Sequence, residues 1–353
     1  MSCAEKVTDS EIFNGEIKII DDTVKSIVEM QGKEIIMDGI TYGIPAVYDS
    51  LMFFCNYKMS DYFYIVFNLK TGKELGYFCR KGQGPGEVKG VPYIRQFYRE
   101  NGDLKTIFEA PFNFSLVEWN ISKSIKTGKT VWDFIPYDWR KDHEMDFPHS
   151  HIFRLNDREF VGDISSKCLN IDENCTKATL PSLEKRTIHT NTRLMEYPIY
   201  KKTLNRKDSD RIFGAHFCVK PDGSKMFQFM IRLWQINIID LETGEIAGYR
   251  KRGTPDYSFL ANYPGVDADL PAYFAGVVHN NKYIFIKNYN GVNENGDCIV
   301  YVFDWDCNLV KKLNLGYDIY HKWLLLDEVN NLLYTYNLES EKIFCYDLNS
   351  VGL

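Results

Sequence analysis

The sequence predicts an all-β fold: a six-bladed β-propeller of four-stranded antiparallel blades, closed by an N-terminal strand. Three observations carry this expectation. The segment Asn68-Leu69-Lys70-Thr71-Gly72-Lys73-Glu74-Leu75-Gly76-Tyr77 returns as Asp240-Leu241-Glu242-Thr243-Gly244-Glu245-Ile246-Ala247-Gly248-Tyr249, with five of ten positions identical. Each copy is an apolar strand ending in Asn or Asp, a Thr-Gly turn and a second strand, which is a β-hairpin pattern. Finally, 23 Tyr, 23 Phe and 6 Trp bring the aromatic share to 15%, and no long stretch carries the 3.6-residue period of a helix.

The elements follow from these anchors. Asn68, Asn120, Asp172, Asp240, Asp304 and Asp347 are expected to end the third strand of successive repeats. Upstream of most of them sits a second hairpin with its own turn, at Tyr48-Asp49-Ser50, Asn101-Gly102, Asn156-Asp157, Pro221-Asp222-Gly223, Asn280-Asn281 and Asp327-Glu328. Two hairpins make four strands per repeat. The last repeat runs out six residues after Asp347, so a strand from upstream, Ile17–Ile20 or Val24–Val28, is expected to complete it. Residues 1–15 read as a tether and 16–353 as one domain.

Composition limits the function classes. The 353 residues carry 42 Lys+Arg and 48 Asp+Glu, a net charge of −6, which disfavours a nucleic-acid or anionic-membrane surface. No GxSxG, P-loop, HExxH or complete EF-hand loop occurs, so no catalytic motif is present in the sequence. Of nine cysteines, Cys3 stands apart: Ser2-Cys3 followed by polar residues is similar to the start of a mature bacterial lipoprotein. The other eight form no CxxC, and their spacing fails to place pairs opposite each other in the hairpins. They read as mostly buried free thiols.

The segment Arg80-Lys81-Gly82-Gln83-Gly84-Pro85-Gly86-Glu87, following the outer strand of a hairpin, resembles an element of the six-bladed, TolB-like and NHL-like propeller lipoproteins of Bacteroidetes. A degenerate copy stands at Arg252-Gly253-Thr254-Pro255-Asp256. The resemblance implies a periplasmic or outer-membrane location with a lipid on Cys3, and no settled activity. The glycines also have a local reading as a tight turn.

Candidate site residues come from register. His151, His216 and His321 each stand six residues before a first-hairpin turn, and Arg95 stands six before Asn101. Equivalent positions near the starts of first strands would gather around one channel mouth. Three readings remain open: inter-blade packing, a polar mouth for an anionic or sugar-like ligand, or a histidine metal site as in a lyase or hydrolase. His149 lies in the charged stretch 142–151, and Arg80 and Arg252 flank the glycine-rich turns. The expected role is a monomeric binding module for a small polar or carbohydrate ligand or an envelope protein, with no cofactor. A metal-dependent lyase or hydrolase is the alternative.

Overall fold

The computed structural model describes residues 13, 15–24, 26–39, 41–110, 115–136, 152–156, 159–163, 173–179, 184–189, 214–254, 257, 272–289, 297–317 and 322–353. Three short strands come first: β1 (Glu16–Ile20), β2 (Ile27–Glu29) and β3 (Lys33–Ile35). The chain divides into two compact units, Met1–Met30 with Leu155–Tyr320, and Gln31–Arg154 with His321–Leu353.

The second unit holds three four-stranded blades. The first is β4 (Ile44–Tyr48), β5 (Leu51–Cys55), β6 (Tyr62–Asn68) and β7 (Glu74–Arg80), each antiparallel to the next. Another is β8 (Phe97–Glu100), β9 (Asp103–Ala110), β10 (Ser115–Asn120) and β11 (Trp132–Pro136). Between β10 and β11 the tight turn is replaced by α1 (Ile121–Thr127), where the Asn120 side chain accepts the Lys123 N–H at 2.9 Å and caps the helix. Strand β12 (Ile152–Arg154) also belongs to this unit.

The first unit contains β13 (Glu159–Asp163), β14 (Glu173–Thr179) and β15 (Glu184–His189), then two blades: β16 (Ala215–Val219), β17 (Lys225–Met230), β18 (Gln235–Asp240) and β19 (Ile246–Lys251), followed by β20 (Phe274–His279), β21 (Tyr283–Asn288), β22 (Asp297–Asp304) and β23 (Leu309–Tyr317). The remaining blade, in the second unit, is β24 (Lys322–Asp327), β25 (Leu332–Asn337) and β26 (Ile343–Asp347), with β3 as its fourth strand.

The architecture is an all-β propeller with five four-stranded blades, which corrects the expected six. Five of the six sequence anchors end a third strand, at Asn68, Asn120, Asp240, Asp304 and Asp347. The anchor placed at Asp172 does not: β14 begins just after it, at Glu173, and ends at Thr179. The strands β13, β14 and β15 pair antiparallel in order, and β12, of three residues, belongs to the other unit. Most side chains of that sheet lie outside the described residues.

The reason the other anchors repeat is local. The Asn68 carboxamide oxygen accepts the amides of Lys70 (2.9 Å) and Thr71 (3.1 Å). Asp240 does the same for Glu242 (2.9 Å) and Thr243 (2.7 Å), and Asp304 for Asp306 (3.0 Å) and Asn308 (2.8 Å). A short side-chain acceptor at the strand end thus satisfies turn amides that the ladder leaves open.

The closure is also corrected. The two segments expected to complete the last blade pair elsewhere: β1 runs parallel to β19 and β2 parallel to β23, giving those two blades a fifth strand. The strand that pairs with β26 is β3, at Lys33–Ile35, antiparallel. Edge pairing is a backbone interaction that any extended segment can make, so side chains choose the partner. Asp22, between β1 and β2, is that determinant. Its carboxylate is buried and receives the Tyr301 hydroxyl (2.6 Å), with Lys251 (3.1 Å) and Lys312 (3.5 Å) beside it. Burial works against its charge, but the Tyr301 hydrogen bond and the two lysines hold its carboxyl below the usual range.

Each unit packs its own core. Phe227, Phe229, Trp234, Phe274, Ile286 and Tyr301 belong to the core of the first unit. In the second, Phe53, Tyr64, Phe78 and Trp119 form one cluster, while Phe54, Phe67, Leu325 and Tyr336 form another. Cys55, Cys79, Cys218 and Cys307 are buried thiols in these layers, the packing role expected of them.

Candidate functional site

In the second unit one cluster combines exposed aromatic rings, positive charge and a rigid support. It lies at the end of the sheets where β4 begins, β5 turns into β6, and β7 passes to β8. Tyr42 precedes β4, Tyr57 and Lys58 form the tip between β5 and β6, and Tyr93 and Arg95 precede β8. Tyr57 is 54% exposed and Tyr93 38%. The Lys58 ammonium lies 4.6 Å from the Tyr42 ring centre, and the Arg95 guanidinium 5.6 Å from that of Tyr93. Hydrogen bonds from Lys58 and then Tyr57 draw the Tyr42 hydroxyl below its ordinary pKa, and the same contact raises Lys58.

Each part of this cluster is held from beneath by a buried or half-buried polar group. The Asn56 side chain accepts the Lys58 amide at 3.0 Å, an Asx turn that shapes the tip. Lys81, whose ammonium lies 4.7 Å from the Phe63 ring centre, donates to the carbonyl of Tyr57 at 2.8 Å and also to that of Met59. Buried Tyr64 donates its hydroxyl to the Pro92 carbonyl and accepts the Ile94 amide at 3.1 Å, so it grips the backbone on both sides of Tyr93. Buried Tyr336 donates to the Thr41 carbonyl at 2.5 Å, next to Tyr42. Burial pushes the Tyr64 hydroxyl far above its ordinary pKa, so it stays protonated and a donor.

The glycine-rich motif has a structural part in this. The Glu87 carboxylate accepts the Gly84 amide at 2.9 Å and faces Arg80 at 3.4 Å, while the Gly82 amide donates to the Val88 carbonyl at 3.1 Å. Gly82 adopts φ +153°, and a Cβ there would stand 1.8 Å from Glu87 Oε2. The turn places Lys81 under the Tyr57 tip. Sequence reading singled out the motif, Lys81 within it, but gave Lys81 no role and passed over the tyrosines, because ordinary Tyr and Lys in turns carry no signature.

The first unit carries a second polar feature, buried rather than exposed. On β17 to β19, Asn237 donates to Gln228 (2.9 Å), Gln235 to Asn237 (2.8 Å), and Arg250 to Gln235 (2.9 Å). Tyr257 donates to the same Gln235 oxygen at 2.6 Å, with the Arg250 guanidinium 4.2 Å from its ring centre. This network ties the stretch after β19 to its blade.

The expected site residues are distributed as follows. His216 is the second residue of β16, partly buried and opposite Phe229. Arg252 follows β19, faces Asp21 at 3.5 Å and donates its amide to the Ile20 carbonyl. Both belong to the first unit, whereas Arg80 and Arg95 belong to the second. His149, His151 and His321, and with them the whole 142–151 stretch, lie outside the described residues, as does Cys3. Among the described residues, Arg95 is the one expected residue that joins the tyrosine cluster. Among the described residues no group of three or more His, Cys, Asp and Glu could hold a metal ion, and no helix is long and apolar enough to cross a membrane.

No family model and no curated protein matches the chain. Solved structures do. A member of the duf4221 family from Bacteroides vulgatus superposes with a TM-score of 0.54 at 11% identity, over 91% of this chain and 97% of that one. A protein of Bacteroides fragilis described as exported superposes with a TM-score of 0.51 at 12% identity, over 94% of this chain and 98% of that one. At such identities a likeness carries the fold alone, and the chain is a β-propeller whose structural neighbours include these Bacteroides proteins.

Proposed function

We propose that this propeller is a binding module of the cell envelope that holds a small polar or carbohydrate-like ligand on the Tyr42–Tyr57–Tyr93 cluster. The observation that carries the reading is preorganisation. Tyr57 and Tyr93 present exposed rings, while Lys81, Asn56 and Tyr64 fix the backbone that bears them. An aromatic face held in place loses little entropy on binding, and flat rings suit the C–H faces of sugars. The exported description of the Bacteroides fragilis neighbour supports an envelope location, with Cys3 as the proposed lipid-bearing residue.

The test is a glycan array followed by calorimetry on the protein and on a Tyr57→Ala, Tyr93→Ala double variant. Binding to sugars that falls by about a hundredfold in the variant supports the reading; each stacked ring contributes on the order of 1 kcal/mol or more. No binding by the parent protein to any neutral or acidic oligosaccharide, or equal binding by both proteins, overturns it.

A further inference from the structure

We infer that the segment from Phe13 to Met30 is a latch over the edges of two blades, caught at Asp22, which opens and closes as one unit while the blades beneath it stay folded. The segment and both blades lie in the first unit. Strands β16–β19 and β20–β23 make two complete four-stranded blades without it, and β1 and β2 stand at the ends of those sheets, paired to β19 and β23. Glu16, Lys18, Ile19, Ile27 and Glu29 are exposed. Burial is concentrated at three points. The buried Phe13 ring fills a notch left by Gly248, where a Cβ would stand 2.6 Å from it. Ile20 is buried at the end of β1, and the Asp22 carboxylate next to it meets Tyr301, Lys251 and Lys312. Met30 is buried at the far end, and its amide donates to the Asn314 carbonyl at 2.9 Å.

A segment held by few buried contacts and by exposed strand pairing opens at a lower free energy than the core beneath it. Asp22 is the catch because its loss acts on the closed state. The Lys312 side chain is only 11% exposed and that of Lys251 31%, and both ammonium groups meet the one carboxylate. Without that carboxylate the closed latch confines two cations beside each other, and opening returns them to water. The turn that carries Asp22 joins β1 to β2, and Asp21 shapes it by accepting the Thr23 amide at 3.1 Å and hydroxyl at 2.6 Å. One catch therefore governs both strands. Closed, the latch occupies the backbone edges of β19 and β23, which would otherwise stand open to any extended chain.

The experiment is hydrogen exchange on the whole chain, read by mass spectrometry on peptides covering 16–20, 27–30 and the blade strands β18 and β22. In Asp22→Ala, exchange over 16–20 and 27–30 is expected to rise together by about ten- to a hundredfold, the effect of losing hydrogen bonds to a charged group. Exchange in β18 and β22 should stay as in the parent protein, which also shows that the variant is folded. Phe13→Ala tests the unit from its other end: it touches β19 alone, yet a latch that opens as one piece must release β2 as well, by about tenfold or more. A rise confined to one of the two strands in either variant overturns the inference. So does no rise in Asp22→Ala, or a rise of the same size in β18 and β22, which would make the segment part of the blade core.

Discussion

The Asp327 carboxylate makes a sharp quantitative prediction. It is fully buried at the end of β24 and reaches across to the turn between β4 and β5, where it accepts the amides of Asp49 at 2.9 Å and Ser50 at 2.8 Å. The Asn330 side chain donates to it as well, at 2.7 Å. Asp49 and Ser50 sit at φ +47° and +63° without being glycine, so this turn is strained by about 1 kcal/mol or more per residue and depends on those bonds. Asp327→Ala removes these three charge-assisted bonds and leaves the two turn amides without their acceptor, an expected loss of about 4 kcal/mol. Asp327→Asn keeps one acceptor oxygen and turns an NH2 toward the other amide, for about 2 kcal/mol. Urea unfolding followed by tryptophan fluorescence reads both values, with the m-value reporting whether the transition keeps its cooperativity. If alanine and asparagine cost the same, or alanine costs less than about 0.5 kcal/mol, the carboxylate does not hold the two blades together as argued.

Two further predictions concern stability. Gly82→Ala forces a Cβ into the Glu87 carboxylate at a φ of +153°; it should destabilise by about 1–3 kcal/mol, and a thermal shift near zero would contradict the clasp. His279 lies against Trp305 at 5.5 Å between ring centres, and burial pushes its imidazole down to about 4. Because its folded pKa lies below the unfolded one, near 6.5, its neutral form supports the fold above that pH. That contribution, up to about 3 kcal/mol, is lost as pH falls from about 6.5 toward 4. His279→Phe should flatten this part of the stability profile, and an unchanged slope would refute the assignment.

Much of the fold was legible because its cues are local. An Asn or Asp that ends a third strand must satisfy the next two or three amides, so Asn68, Asp240 and Asp304 repeat with recognisable neighbours. The third repeat was misread for the same reason. Asp172 looks like such a residue, but β14 starts just after it, at Glu173. Arg95 had been singled out by its register for a channel mouth, together with His151 and His321, which lie outside the described residues; Tyr57 and Tyr93 had not, since exposure of an aromatic ring has no sequence pattern.

By itself the sequence determined the all-β class, the hairpin unit with its turn chemistry, the scarcity of helix and the packing role of the buried thiols, since each depends on residues close together in the chain. Tertiary structure alone decided how many repeats become four-stranded blades and which strand completes the last one. It also decided which ordinary side chains become supports. Asp22 chooses partners for the N-terminal strands through Tyr301, Lys251 and Lys312, residues far along the chain. Lys81, Tyr64 and Tyr336 become props for the tyrosine cluster only where the blades bring them beneath it. Such roles arise from burial and hydrogen-bond satisfaction between distant segments, which a pattern of neighbours cannot encode.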